Sequence, residues 1–153
     1  MEFQWDQNSG IKRLKWLQKQ NKKRFRNKIY FFLRPFDRNA ELLKITLAIP
    51  KPFKSTLKTE KISLCKVRIG GFEDRTKCLE NIPADIEINT DESSLRSIDI
   101  YPYKPIPKNK DSYAIVLKVI NPNKSGLYQF HSYGQPKGKS FSNYLGSWTI
   151  LID

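Results

Sequence analysis

Leu43-Lys44-Ile45-Thr46-Leu47-Ala48-Ile49 places a large apolar residue at every odd position, and Pro50 ends the run. A period of two belongs to a strand with one buried face; an amphipathic helix would repeat about every 3.6 residues. Cys65-Lys66-Val67-Arg68-Ile69 alternates as cleanly, which predicts Lys66 and Arg68 in water and the other three inward. Ile86 and Ile88 alternate with Asp85 and Glu87, and Ile98 and Ile100 with Ser97 and Asp99. Tyr113-Ala114-Ile115-Val116-Leu117-Lys118-Val119-Ile120 is apolar on both faces over most of its length, and so reads as a central strand covered on both sides.

Lys28–Leu33, Leu127–Tyr133 and Leu145–Ile152 are further strand candidates, the last rich in β-formers. Leu14–Leu17 is either a strand or a helical turn, and Ser55–Lys61 is a long loop or a short helix. Turn signals separate the runs at Asp37-Arg38-Asn39, Gly70-Gly71, Asn89-Thr90-Asp91, Pro105–Asn109 and Asn121–Gly126. Eight or nine short, mostly antiparallel strands with no long helix predict one all-β domain, a β-sandwich. A small open barrel is the alternative. Residues 28–153 form the sandwich in this reading, with residues 1–27 a basic segment packed on or joined to the sheet.

The 153-residue chain carries a net charge of +13, unevenly spread. Residues 1–38 hold eleven basic side chains against three acids, a net +8. The field expected from Lys12, Arg13, Lys15, Lys19, Lys22, Lys23, Arg24, Arg26 and Lys28 attracts polyanions of any kind. Trp5, Trp16, Phe25 and Tyr30 stand among these cations, as in grooves that hold single-stranded nucleic acid. The same alternation of Lys with Trp, Leu and Phe is also that of an amphipathic edge strand kept soluble by its lysines. The basic set with Trp16 is therefore the candidate polyanion-binding site.

Other chemistry is poorly provided for. Gly134-Gln135-Pro136-Lys137-Gly138-Lys139-Ser140 ends like a phosphate-binding loop but has three residues between its glycines, where the motif needs four. Pro136 has no N–H to offer and Phe141–Gly146 does not read as a helix, so a basic loop between strands is expected. His131 and Ser132 are adjacent on a strand, point to opposite faces and cannot share a proton. Glu73, Asp74 and Glu80, and Asp85, Glu87, Asp91 and Glu92, cluster only as a solvated surface would. No catalytic pair, metal site or cofactor is expected, and no apolar run is long enough to span a bilayer.

Cys65 and Cys78 flank the Gly70-Gly71 turn. A hairpin folded there sets residue 65 opposite roughly residue 76, within bridging reach of Cys78. A disulfide is expected in an oxidising compartment and two free thiols in the cytosol. The spacing is not that of a redox pair, and a zinc site lacks ligands. Met1–Gly10 carries Glu2 and Asp6 where a signal peptide needs an apolar core, which taken literally describes a soluble cytoplasmic chain.

From about Lys28 onward the sequence resembles the cyanobacterial domain-of-unknown-function family 2808. The resemblance is carried by Ile29–Leu33, Leu42–Thr46, Val67-Arg68-Ile69-Gly70-Gly71 and Ile98–Pro102. It continues through Leu117-Lys118-Val119-Ile120-Asn121-Pro122, Ser125–Phe130 and Tyr144-Leu145-Gly146-Ser147-Trp148. It implies an exported β-rich domain with no assigned activity and no catalytic or ligand residues to carry over. The expectation is thus an exported or envelope-associated sandwich that binds an anionic polymer or a partner protein. A cytoplasmic nucleic-acid-binding module using the same basic face is the alternative.

Overall fold

Alternating segments bury their apolar faces only if two sheets close on one another, and that is the architecture found in the computed structural model, which describes residues 10–71 and 74–153. The strands are β1 (Trp16–Gln18), β2 (Arg26–Leu33), β3 (Leu42–Ile49), β4 (Ile62–Arg68), β5 (Lys77–Asn81), β6 (Ala84–Thr90), β7 (Arg96–Pro102), β8 (Ser112–Ile120), β9 (Gly126–Pro136) and β10 (Asn143–Ile152). They form two five-stranded antiparallel sheets, β1-β2-β8-β4-β5 and β10-β9-β3-β7-β6. This is a sandwich rather than an open barrel. Trp5, Glu2, Asp6 and Glu73 lie outside the described residues.

Between the sheets, Phe31 packs 5.0 Å from both Phe130 and Trp148, ring centre to ring centre, and Phe53 packs 5.0 Å from Phe130. Each ring buried this way is worth about 1.5–3 kcal/mol relative to exposure. The Trp148 indole N–H donates to the Phe32 carbonyl at 3.2 Å, so the largest core side chain leaves no buried donor unmet. β8 is the middle strand of its sheet, as its two-sided apolarity predicts. Ile115 and Leu117 face the core, while Ala114 and Val116 join Tyr30, Phe32, Cys65 and Val67 in a second cluster on the opposite face.

Several expectations are corrected. β5 is a tenth strand; its exposed edge sequence Lys77-Cys78-Leu79-Glu80-Asn81 has no apolar alternation to announce it. Cys65 and Val67 are buried, but away from the intersheet core, because Ile62 and Leu64 take the core-facing positions of β4. The β4–β5 hairpin turns later than Gly70-Gly71, and a bulge follows, so Cys65 lies opposite Asn81 and Val67 opposite Cys78. The two sulfurs are nonetheless bonded, with Cα atoms 5.7 Å apart. Leu14–Leu17 contributes strand β1, and Ser55–Lys61 is a loop closed by the 3₁₀ turn Thr59–Lys61.

The N-terminal segment bridges the sheets. Leu14 is buried in the core and hydrogen-bonds through its N–H to the Ser147 carbonyl at 2.8 Å, while β1 pairs with β2 in the other sheet. Gly146 makes this possible: its φ is +151°, and a Cβ there would stand 2.5 Å from Leu14 Cγ. Leu14 fills the space a side chain at 146 would need.

Candidate functional site

Strand direction gathers the β1–β2, β3–β4, β6–β7 and β8–β9 connections at one end of the sandwich. Two buried amides tie the first of these to the last. Asn27 Oδ1 accepts from the N–H groups of Lys19 and Gln20 at 3.1 and 2.9 Å, and Asn27 Nδ2 donates to Asn121 Oδ1 at 2.9 Å. Asn121 Nδ2 donates in turn to the carbonyls of Gln20 and Lys22 at 3.2 and 2.8 Å. Backbone bonds from Asn121 N–H to the Phe25 carbonyl and from Arg24 N–H to the Pro122 carbonyl complete the tie. Arg24 adopts a left-handed φ of +66°, which turns the chain. The outcome is a rigid loop that exposes Lys22, Lys23, Arg24, Phe25 and Arg26.

Neighbouring segments add to this end. Tyr128 donates its hydroxyl to the Lys124 carbonyl at 2.6 Å, fixing the β8–β9 loop. Ser55 Oγ donates to the Ile120 carbonyl, which brings the loop of Lys51 and Lys54 alongside. The Arg96 guanidinium holds that loop through the carbonyls of Ser55 and Phe53. Burial pushes the Arg96 pKa down from its ordinary value, though the side chain stays a cation.

The rest of the sequence-selected set is dispersed. Lys12 sits 3.9 Å from the buried carboxylate of Asp37, and Arg13 and Lys15 are exposed along the seam between the sheets. Trp16 is half-buried, packs on the core and walls a shallow cleft of about 350 Å³ with Gln18, Lys19, Gln20, Asn21 and Leu151. Lys19 and Lys28 belong to the outer face of the β1–β2 pair, where the Lys19 N–H donates to the Lys28 carbonyl at 3.1 Å. Arg38 leaves the basic surface altogether. It is buried, donates to the carbonyls of Leu33, Asp111 and Pro107, and stacks 4.8 Å from the Tyr113 ring. Desolvation lowers its pKa, with Tyr113, Asp37 and Asp111 opposing that shift.

Lys118 and Lys124 join the basic end although the sequence reading did not select them. The available signal was Lys118, the one charged residue in the apolar run of β8. His131 does find a hydroxyl, but not that of Ser132: its Nδ1 lies 2.6 Å from Ser147 Oγ on the neighbouring strand, and Tyr144 Oη lies 2.5 Å from the same oxygen. Ser147 is buried, and among the described residues no carboxylate hydrogen-bonds the imidazole, so the cluster closes on itself as a structural network. Gly134 and Pro136 of the phosphate-loop near-miss are strand residues of β9, and a strand, not a helix, follows the loop.

A model of a protein family of unknown function, DUF2808, matches residues 7–152. The chain belongs to the DUF2808 family. The match begins well before Lys28, so the basic N-terminal segment is part of the DUF2808 domain. Its fold is similar to BslA, a bacterial hydrophobin, with a TM-score of 0.54 at 12% identity over 92% of this chain and 91% of that one. The collagen-binding domain of a Staphylococcus aureus adhesin aligns with a TM-score of 0.44 at 14% identity, over 91% of this chain and 95% of that domain. At 12% identity the likeness to BslA is one of fold alone. No curated protein matches the chain in sequence.

Proposed function

We propose that this DUF2808 domain is a non-catalytic binding module, exported from the cell, that holds an anionic polymer against the basic end of its sandwich. The supporting observation is the Asn27–Asn121 pair, which keeps Lys22, Lys23, Arg24 and Arg26 in one place at the cost of two buried amides. Solubilising lysines need no such scaffold, whereas a preorganised site binds without the entropy of ordering a loop. The 65–78 disulfide supports an oxidising compartment and weighs against a cytoplasmic nucleic-acid module.

The test separates position from total charge. A variant with Lys22, Lys23, Arg24 and Arg26 replaced by Ser is compared, on an immobilised polyanion, with a control replacing Lys104, Lys108, Lys110 and Lys139 at the opposite end. Both lose equal charge, so the first should elute at clearly lower salt than the second. Equal elution would mean that retention follows net charge alone, and the proposed site would be abandoned.

A further inference from the structure

Lysines stand side by side on one sheet face, on β2, on β8 and at the residue that follows β1. In the β2–β8 ladder Lys28 lies directly opposite Lys118, and Arg26 opposite Ile120. On the other side of β2, the Lys19–Lys28 backbone bond extends the row to β1. Alternation puts these side chains outward: Ile29, Leu117 and Val119 face the core, while Leu17, Tyr30 and Val116, one step along each strand, belong to the outer cluster. Lys19, Lys28 and Lys118 therefore form a belt with neighbours separated by one strand spacing, about 4.8 Å. Lys28 is steadied by the Tyr30 ring, 5.2 Å from its ammonium.

Like charges directly opposite on a sheet are destabilising. Cross-strand pairing elsewhere in the same sheet joins unlike charges, as where Lys66 lies opposite Glu80 at 3.9 Å. Among the described residues, none of Lys19, Lys28 and Lys118 forms an ion pair. A ligand bearing a row of anions would offset this like-charge repulsion. The exposed Ile120 and the aliphatic stem of Arg26 lie next to it and offer apolar surface.

We propose that the belt binds an extended acidic polysaccharide laid across β1, β2 and β8, its carboxylates or sulfates spaced along the lysine row and the C–H faces of its sugars on Ile120. This names the ligand class of the polymer site above and rests on that reading. A row of three cations favours a linear polymer over a compact anion, and the disulfide in the same sheet favours a polymer of the cell exterior over nucleic acid.

The experiment titrates polygalacturonate into wild type, into the Lys19→Ser/Lys28→Ser/Lys118→Ser variant and into the opposite-end control described above, by calorimetry at low salt. Each exposed ionic contact is worth a few-fold in affinity, so the belt variant should bind at least about tenfold more weakly while the control keeps most of its affinity. The belt variant should also melt no lower than wild type at low salt, because it loses like-charge repulsion. The single charge reversal Lys118→Glu provides a second variant with the same expected loss of binding. Unchanged affinity in both belt variants overturns the proposal while leaving the loop site standing. Tighter, belt-dependent binding to phosphatidylglycerol vesicles or to an oligonucleotide overturns it in favour of those ligands. If the loop variant and the opposite-end control elute together from the immobilised polyanion, it is the underlying polymer reading that fails.

Discussion

Replacing Asn121 by Ala should free the basic loop without touching any of its charges. The amide makes three hydrogen bonds, to Asn27 Nδ2, the Gln20 carbonyl and the Lys22 carbonyl. The Gln20 carbonyl keeps a second donor, Gln18 Nε2 at 3.2 Å, but Asn27 Nδ2 is left buried with no acceptor. At about 1 kcal/mol net for each of the three lost bonds, with about 1 kcal/mol more for the unmet donor, the substitution should cost about 4 kcal/mol. In urea that lowers the unfolding midpoint by about 1–2 M, with little change in slope. Native-state hydrogen exchange gives the sharper reading. The Gln20 N–H is held at 2.9 Å by Asn27 Oδ1, which Asn121 in turn orients, so this amide should exchange much faster in the variant. A cost below about 1 kcal/mol together with unchanged exchange at Gln20 would refute the reasoning, because the loop would then be ordered by something other than the amide pair.

Gly146→Ala should destabilise by about 2–4 kcal/mol, since the new Cβ meets three Leu14 carbons within 2.8 Å at a left-handed φ; thermal unfolding measures the loss. A cost under about 1 kcal/mol would show that Leu14 gives way without loss of packing. The Tyr128 hydroxyl is pushed above the ordinary phenol range by burial. A raised folded-state pKa means that the stability it contributes is present below the unfolded value and lost as pH rises through the folded one. Wild type should therefore lose stability above about pH 10 more steeply than Tyr128→Phe, and equal slopes in alkaline urea titrations would dismiss the assignment.

Most of the fold was legible because β-strands write their burial into a period of two. Ile45, Leu47 and Ile49, or Ile98 and Ile100, could not be buried on a helix with that spacing. β5 escaped because an exposed edge strand needs no apolar face. The true face of Cys65 and Val67 escaped because β4 is buried on both sides, so its alternation does not say which set meets the other sheet. The site was legible only in part. Lys22–Arg26 is contiguous and visible as a charge run. The Lys28–Lys118 pairing is a matter of register between strands 90 residues apart, which composition and spacing do not carry. Asn27 and Asn121 look like ordinary turn residues until each is seen to be the other's partner.

The positive charge of the chain divides by what surrounds each group rather than by where it falls in sequence. Arg38 and Arg96 donate to backbone carbonyls of loops, and each pins a connection that would otherwise leave those carbonyls unmet beneath the surface. A planar guanidinium with several fixed donors suits that task. The lysines at β1, β2 and β8 meet no acceptor of this kind and face one another instead, and an ammonium on a flexible stem is suited to a partner that arrives from solution. Net charge counts both kinds equally, so +13 does not distinguish them, whereas the like-charge Lys28–Lys118 pair of the β-ladder is what the proposed site rests on.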